Sequence, residues 1–370
     1  MEKKAYYSGL DLLKGVFAFF IAFVFHYYIL FQARPFGDNA IMNFAYTWGG
    51  YFVEIFFMIS GFVAHYNYSS AIQSGELNVN QFFYKRVVAL YPAMILSVIC
   101  AAVGQWISMW NYGTVLTLEG PYRNSLESFI LSILGVQTGW FGDGDYYSIN
   151  GPTWYICILM ICYGIYFLIL RASSKNVDRE KYMLMGMVLL GTYLYIHPFE
   201  FPLLYLSCGR GYLSFFGGVL LAKCCKLEVV KKHRKRFLVG ACLLLVLFAV
   251  MYDRRNLGHT YWAISYVMNP ALVYIFVQSK VIDKACNNRI VRGIGKLSFY
   301  VYLYNIPITI WLYYLMRRFS LEFDFSTPAI WGMYIIGSII ISAMCYKVTT
   351  WIESYIKCVR LSSLYRTSDE

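Results

Sequence analysis

Ten long apolar segments are the feature of this chain that most constrains its fold. Most run for about 17 to 24 residues, and a helix needs about 20 mostly apolar residues to cross a bilayer. The pattern predicts an all-α integral membrane protein, a bundle of about ten transmembrane helices that forms one domain over residues 1–370. The segments lie near residues 10–31, 46–68, 87–109, 152–170, 182–198, 211–222, 237–252, 261–279, 297–316 and 328–346.

The composition excludes two common classes of protein. Of the 370 residues, 59% are hydrophobic and only 14% are charged, whereas soluble proteins carry about 25% charged side chains. A water-soluble enzyme is therefore excluded. The net charge of +12 is divided among loops between apolar segments, whereas a nucleic-acid reader carries its basic residues as one continuous patch. We expect no nucleic-acid partner.

Basic residues are divided unequally between alternate loops. With the N-terminus inside, the inner loops and tails collect 24 of the 32 Lys and Arg residues, and the outer loops collect seven. Cytoplasmic loops are enriched in Lys and Arg, so both termini are expected in the cytoplasm. The predicted location is a cell membrane, as a multi-pass protein of a bacterial plasma membrane.

Residues 110–151 form the one long outer connection. Its apolar stretch, 127–142, is too short for a further span, and counting it as one would reverse the orientation of every later helix. A short re-entrant or interfacial helix fits this stretch better. In the same loop, aromatic side chains surround Asp143 and Asp145 and would suit a sugar, although an interfacial aromatic belt would have the same composition.

His26 and Glu54 are the ionisable residues of the first two spans that are hardest to explain structurally. Ionisable groups inside a bilayer are expensive and are by default functional. At about 1.5 Å per residue, both lie in the outer half of the membrane. A carboxylate beside an imidazole fixes the tautomer of the ring, so the two residues are predicted to form a general base.

Small residues follow one face of each of these spans toward the polar residues. Ala18 and Ala22 precede His26 at helical spacing, and Gly50 and Gly61 flank Glu54. Residues three, four or seven positions apart share a helix face. The stripes fit tight helix packing, and they also fit a narrow passage from the cytoplasm to His26 for a thin flexible chain. Both interpretations remain open.

Lys85 and Arg86 end the first large inner loop, just before the third span. Ordinary positive-inside anchoring would explain the two cations. A donor that carries phosphate groups and enters from the cytoplasm would also meet them there.

The chain resembles the membrane acyltransferase-3 family, the OafA-like O-acyltransferases, in six successive blocks over essentially its whole length. The resemblance implies a ten-helix bundle that moves an acyl group, usually acetyl, from cytoplasmic acyl-CoA to a hydroxyl group of an extracytoplasmic glycan or glycolipid. The blocks are GLDLLKGVFAFFIAFVFHYY, VEIFFMISGF, FFYKRVVALYP, NGPTWYICILMICYGIY, RGYLSFFGG and GKLSFYVYLYNIP.

The resemblance also implies roles for individual residues. His26 matches the essential histidine of the first helix, and Glu54 matches the acidic position of the second, so these two are the expected catalytic residues. The expected donor-binding residues are Lys14, Lys85 and Arg86. The candidates for binding the acceptor or the oxyanion are Ser60, Asn150, Trp154 and Arg210.

Two positions depart from the family pattern. The family has an arginine, ten residues and a histidine, whereas here eleven residues separate Lys14 from His26. The extra residue turns Lys14 about 100° away from the expected face, so the two share a face only if the helix contains a bulge. Asn305 occupies a slot often taken by histidine and is assigned no role in proton transfer.

The expected function is therefore acyl transfer to a surface glycan or lipid-linked sugar within the lipid bilayer. The expected donor substrate is acyl-CoA, in the form of acetyl-CoA, and no permanently bound cofactor or metal is expected. The alternative is a glycolipid or polysaccharide transporter, or an export-complex subunit, although no inverted repeat supports a transporter. The sequence leaves open whether the protein forms a homodimer.

Overall fold

The computed structural model describes residues 6–115, 124–144, 148–174, 176–252 and 257–366. These ranges form helices joined by short loops and contain no β-strand. The α-helices are α1 (Ser8–Phe20), α2 (His26–Phe31), α3 (Ala40–Trp48), α4 (Val53–Ser74), α5 (Val79–Tyr112), α6 (Leu126–Leu134), α7 (Trp154–Ala172), α8 (Val177–Ile196), α9 (Leu206–Lys226), α10 (Glu228–Lys232), α11 (Arg234–Met251), α12 (Leu257–Ala263), α13 (Asn269–Gln278), α14 (Lys280–Cys286), α15 (Arg289–Phe319) and α16 (Pro328–Arg366).

Within the described ranges, five helical segments are long and apolar enough to cross a membrane. A sixth crossing results if α3 and α4, which meet at 58°, are counted as one bent span. The all-helical fold is confirmed, whereas ten spans and cytoplasmic termini stay predictions. The five segments are Ser8–Phe31, Val79–Tyr112, Gly151–Ala172, Thr260–Gln278 and Pro328–Cys358.

Each of the ten predicted segments falls on a helix, but several helices extend well beyond the apolar stretch. The sixth segment, predicted at 211–222, is the 21-residue helix α9. This helix continues through Arg210 at one end and Lys223 at the other. Charged residues at helix ends are invisible to a search for apolar stretches, which explains the short prediction.

Capping explains why α5 begins eight residues before the predicted start of its span. The Asn78 side chain accepts the backbone N–H of Gln81, and the Gln81 side chain accepts the backbone N–H of Asn78. This capping box satisfies two free donors of the first turn. At the other end, Gly113 takes a φ of 69°, in the left-handed region that favours glycine at a helix C-terminus.

Two long helices each contain one π-helical turn. The first, Ile21–Phe25, joins α1 to α2, and the second, Ile264–Met268, joins α12 to α13. In the first turn the backbone N–H of His26 donates to the carbonyl of Ile21, five residues earlier. A π turn accommodates one extra residue in a helix and is frequent at functional sites.

Helices α4 and α9 cross at glycine contacts. A Cβ atom built on Gly61 would lie 2.0 Å from the carbonyl oxygen of Phe215, and one on Gly218 would lie 2.0 Å from that of Met58. The two backbones therefore touch at positions where only glycine fits. Here the small-residue stripe of the second span serves tight packing.

Helix α6 lies alongside α5. Trp106 donates to the carbonyl of Asn124, just before α6, and the Tyr91 hydroxyl donates to the carbonyl of Leu134 at its end, both at 3.2 Å. Trp106 and Tyr91 are separated by about 22 Å along α5, so α6 follows α5 over much of its length.

The side chains of α6 are arranged with the apolar face outward. Leu126, Ile130 and Leu134 are exposed, whereas Ser128 and Ser132 are buried. A helix that faces lipid carries its polar groups on the protein side. The re-entrant or interfacial placement expected within residues 110–151 stays a prediction.

Candidate active site

Glu54 lies at the start of α4, directly after the short 3₁₀ turn Gly49–Tyr51. Its side chain is fully buried. Oε1 accepts hydrogen bonds from the Tyr195 hydroxyl and from Nε of Arg210, the latter at 3.0 Å. Oε2 accepts one from the Ser265 hydroxyl at 2.9 Å. Donors from α8, α9 and the second π turn therefore hold this carboxylate.

Arg210 connects Glu54 to the turn before it. Its Nη2 donates to the carbonyl oxygen of Gly50 at 2.5 Å. The guanidinium carbon lies 5.1 Å from the ring centroid of Tyr51 and 4.9 Å from that of Trp154. Within the described residues Nη1 has no hydrogen-bond partner, and the side chain is 18% exposed. A fixed cation therefore keeps one donor available.

His26 follows the first π turn and is partly exposed. Its Nδ1 lies 2.8 Å from Nδ2 of Asn305. The same amide nitrogen lies 3.4 Å from the carbonyl oxygen of Ala22, and the ring of Tyr302 lies 6.4 Å from the imidazole. Two residues of α15, Asn305 and Tyr302, therefore contact the imidazole.

The amide of Asn305 controls the tautomer of His26. In the orientation described, the amide nitrogen donates to Nδ1, so the neutral ring carries its proton on Nε2. A 180° turn of the amide presents its oxygen, which has no hydrogen-bond partner in the described structure. The ring then carries its proton on Nδ1, and Nε2 can accept one.

The first π turn restores the alignment of Lys14 with His26. Twelve steps of an α-helix would leave the two side chains about 120° apart, and the extra residue of a π turn reduces the difference to about 20°. The bulge that the sequence requires for a shared face is therefore present at Ile21–Phe25. Lys14 itself forms an ion pair of 2.6 Å with Asp11.

One aromatic residue lies between the two centres. The Phe25 ring is 5.6 Å from the His26 ring. A Cβ atom built on Gly49 would lie 2.3 Å from Cβ of Phe25, and one on Gly50 would lie 3.0 Å from its Cζ. Gly50 also accepts a hydrogen bond from Arg210. The imidazole of His26 and the guanidinium of Arg210 are therefore linked by packing contacts through the Phe25 ring and the turn Gly49–Tyr51.

Glu54 and His26 have different partners among the hydrogen bonds of the described residues. Those of Glu54 go to Arg210, Tyr195 and Ser265, and that of Nδ1 of His26 goes to Asn305. The carboxylate positions Arg210, while an amide contacts the imidazole. Direct orientation of His26 by Glu54 stays a prediction.

Asn150 connects α5 and α15 through hydrogen bonds. Its Nδ2 donates to the Ser97 hydroxyl and to the carbonyl of Leu303, both at 2.9 Å. That carbonyl is available because Pro307, four residues later in α15, has no N–H. Both amide hydrogens are used, so Asn150 offers no donor to an oxyanion in this arrangement.

Ser60 and Trp154 lie among aromatic side chains near the site. The Ser60 hydroxyl lies 3.1 Å from that of Tyr155, whose ring is 6.1 Å from the ring of Tyr302. Trp154 begins α7 and packs 5.8 Å from Phe57. Ser60 is thus placed on the His26 side, and Trp154 on the Arg210 side.

Lys85 and Arg86 diverge at the start of α5. Lys85 is exposed, whereas the Arg86 guanidinium carbon lies 4.5 Å from the Tyr68 ring and 5.2 Å from the Tyr163 ring. Arg86 also donates to the Tyr68 hydroxyl. The two cations therefore do not form one shared phosphate-binding site.

A family model described as an acyltransferase domain, the acyltransferase-3 model, matches residues 7–347. The chain belongs to the acyltransferase-3 family. Together with the apolar helices, this membership makes the protein a multi-pass membrane acyltransferase. No curated protein and no solved structure matches the chain.

In the loop before α7, Asp143 has a structural role. Its Oδ1 accepts the backbone N–H of Ser207 at 2.9 Å, near the start of α9, and that of Gly144 at 2.8 Å. The carboxylate thus satisfies a first-turn donor. Trp140 and Phe141 are exposed, and the expected partners at 145–147 lie outside the described residues.

Sequence reasoning missed three residues of the acyltransferase site. Asn305 carried a signal, because it interrupts an apolar segment, but it was assigned no role. Tyr195 and Ser265 carried none, because tyrosines and serines are ordinary in such helices. Only the packing of α8 and the second π turn against α4 reveals that both donate to Glu54.

Proposed function

We propose that this acyltransferase moves an acyl group, in the first instance acetyl, from cytoplasmic acyl-CoA to a hydroxyl group of an extracytoplasmic carbohydrate or glycolipid. The observation that carries the proposal is the pairing of a partly exposed imidazole with the amide of Asn305, while the turn that packs against Phe25 holds Arg210, a cation with one donor available. The proposed setting is a bacterial plasma membrane, with no permanently bound cofactor.

His26 acts as the general base in this proposal. Nε2 takes the proton of the acceptor hydroxyl as its oxygen attacks the thioester carbonyl. The carbon–sulfur bond then breaks, and the imidazolium returns the proton to the CoA thiolate. Asn305 supports this route because its oxygen can hold the proton on Nδ1. Transfer through an acyl-histidine is the alternative order of the same bond changes.

Arg210 stabilises the oxyanion through Nη1. The negative charge that develops on the carbonyl oxygen needs a donor fixed before the reaction. Glu54, Gly50 and the two aromatic rings hold the guanidinium in place. Glu54 therefore serves catalysis as a positioning residue. Ser60 remains a second proposed contact to the acceptor or the oxyanion.

The donor path is proposed to start at the cytoplasmic ends of α1 and α5. Lys85 is exposed and suits the phosphates of acyl-CoA, and Lys14 lies below His26 on the same helix face. Ser214 and Asn269 each follow a site residue by four positions, and their polar side-chain atoms are buried without a hydrogen-bond partner in the described structure. They suit the amide groups of the pantetheine arm.

The acceptor is proposed to bind from the opposite side, against Trp154 and the exposed rings of Trp140 and Phe141. Flat aromatic faces suit the apolar faces of sugar rings. Asn150 supports this surface by tying the start of α7 to α5 and α15, rather than by contacting the acceptor.

The direct test is transfer of radiolabelled acetyl from acetyl-CoA in membranes that contain the full chain. His26→Ala is expected to lower kcat by about 10²- to 10⁴-fold, the usual contribution of a general base. His197→Ala, at an exposed histidine outside the site, is the matched control and should retain activity. Full activity of His26→Ala would refute the proposal.

Transport or export without acyl transfer is the competing function. Deleting the gene should remove an ester from the surface glycan if the protein transfers acyl groups. Intact esters together with stalled export would instead support a transporter or an export-complex subunit.

A further inference from the structure

A hollow lined by cations lies where α10 meets α11. Its volume is about 600 Å³. No acidic side chain contributes to the lining. The lining residues are Lys231, Lys232, His233, Arg234, Lys235, Arg236, Gln278 and Lys280.

The charges of this hollow are largely uncompensated. Within the part of the chain that the structure describes, Lys231 has an ion pair with Glu228 at 2.7 Å, and the other lining cations have none. Concentrating like charges is unfavourable unless counterions gather there. The hollow is therefore a strong local attractor for anions.

The start of α11 adds to the positive potential. Arg234, Lys235 and Arg236 occupy its first turn, which has no acidic residue and no side-chain cap. The N-terminal end of a helix carries a partial positive charge and free N–H groups. Helix N-termini normally favour acidic side chains, so three cations at this end are unfavourable. A bound anion would offset both the charge of these side chains and the partial charge of the helix end.

The surface beside the hollow is apolar. Phe237, Val239 and Leu243, in the first turns of α11, are 44%, 59% and 62% exposed. Leu227, just before α10, and Val229, within it, are 53% and 55% exposed. Cations next to an exposed apolar surface match a phospholipid. Its phosphate would bind the cations, and its acyl chains would contact the apolar side chains. A soluble nucleotide would need only the cations.

We propose that this hollow binds the phosphate-bearing head group of an anionic phospholipid, with its acyl chains along the exposed side of α11. The site is separate from the His26 and Arg210 centres and does not depend on the proposed reaction. Basic pockets at the cytoplasmic surface bind such head groups in membrane proteins. The site would hold the α10–α11 connection at the membrane surface.

The test is a titration of full-length protein, purified in a neutral detergent, with short-chain phosphatidylglycerol and, separately, phosphatidylcholine. The triple variant Arg234→Gln, Lys235→Gln, Arg236→Gln should bind phosphatidylglycerol at least about tenfold more weakly, since each cation near a head group contributes roughly 1 kcal/mol. Phosphatidylcholine binding should not change.

Two further variants control for charge and folding. Arg179→Gln, Lys181→Gln, Lys284→Gln removes three exposed cations outside the hollow and should bind phosphatidylglycerol within twofold of the parent. Arg234→Lys with Arg236→Lys keeps the charge and should also retain binding.

Inorganic phosphate and CoA serve as soluble competitors. Failure of both to displace phosphatidylglycerol supports a lipid site. Displacement by CoA at concentrations that leave control lipids bound would reassign the hollow to a soluble phosphate ligand. Equal phosphatidylglycerol affinity in the parent and the triple glutamine variant would overturn the proposal.

Discussion

At the scale of single residues, the candidate site contains two pairs of side chains that suit different tasks. His26 and Asn305 form the neutral pair, and Arg210 and Glu54 form the ion pair. His26 is held by an amide, which can present either a donor or an acceptor. Arg210 is held by a buried carboxylate and a carbonyl, which fix its charge and direction. The neutral pair can change its hydrogen-bonding pattern without unpairing a buried charge, so it suits proton transfer, whereas the ion pair suits permanent electrostatic stabilisation.

Asn305→Leu tests the neutral pair. The change leaves Nδ1 of His26 and the carbonyl of Ala22 without this partner, so kcat should fall by about tenfold or more with little change in the acceptor KM. Asn305→His keeps a ring nitrogen within reach and should retain more activity than Asn305→Leu. Asn111→Leu, the same substitution at an exposed asparagine of α5, is the matched control. Equal kcat for the parent and Asn305→Leu would contradict the role.

A double-mutant cycle tests the ion pair. Glu54→Gln leaves a buried cation unpaired and should lower stability by about 3–5 kcal/mol. Adding Arg210→Gln should restore part of this loss, which thermal unfolding in detergent would measure. The exposed pair of Arg34 and Asp38 is the control, with an expected coupling below about 1 kcal/mol. Additive effects at Glu54 and Arg210 would contradict the coupling.

At the scale of helices, interruptions place the reactive groups. His26 directly follows a π turn, Ser265 lies within the other π turn, and Glu54 follows the turn Gly49–Tyr51. Each interruption occurs in an otherwise apolar helix. Regular helices satisfy their own backbone groups, so a polar site in the bundle is most easily built where the regular pattern is broken.

The π turn of the first helix can be tested by changing its length. Deleting Val24 removes one residue, and a regular α-helix would then leave Lys14 and His26 about 20° apart, as the bulge does now. The deletion should keep measurable acetyl transfer. Inserting one alanine after Val24 should rotate His26 by about 100° and abolish transfer. Activity in the insertion and none in the deletion would exclude this account.

The crossing of α4 and α9 can be tested by adding single methyl groups. Gly61→Ala and Gly218→Ala would each place a carbon 2.0 Å from a carbonyl oxygen, so the helices must separate and Arg210 must move away from Glu54. We expect lower thermal stability and lower kcat. Gly217→Ala is the matched control, because its nearest neighbour is Cε of Met58 at 3.6 Å. Identical behaviour of the three variants would rule out this crossing.

At the scale of the whole molecule, the site gathers residues from six parts of the chain. His26 begins α2, Glu54, Tyr195, Arg210 and Ser265 come from four other helical segments, and Asn305 belongs to α15. The described helices pack so that interruptions distant in sequence meet inside one bundle. The proposed function requires this kind of interior, because the proposed donor and acceptor would enter from opposite sides.

Orientation in the membrane is a prediction for the whole chain. The excess of basic residues in alternate loops places both termini in the cytoplasm. Green fluorescent protein fused after residue 370 should fluoresce, and alkaline phosphatase fused there should be inactive. The same fusions after residue 198, in a predicted outer loop, should give the reverse result. An active C-terminal phosphatase would overturn the predicted orientation.

The sequence was sufficient for the positions of the helices, but it was insufficient for the hydrogen-bond partners of the polar residues, and the role of His26 stays a prediction. Apolar length identified a helix at every predicted segment, and the spacing from Lys14 to His26 specified that a bulge was needed. Nothing in periodicity states which helix packs against α4, so Glu54 was assigned to His26 from its depth, its helix face and the family resemblance. The described contacts connect it to Arg210 because the glycine crossing brings α9 against α4.

The hydrogen bond from Asn150 to the carbonyl of Leu303 connects the segment before α7 to the part of α15 that contacts His26. Leu303 lies two residues before Asn305, so a displacement of the segment 148–153 pulls directly on the helical turn that carries the amide facing His26. In the proposed function, a sugar docks against Trp154, which directly follows this buried segment, so acceptor binding and the choice of tautomer at His26 would belong to one linked equilibrium. In that proposal, the imidazole keeps its proton on Nε2 until an acceptor binds, which would limit hydrolysis of the acyl donor.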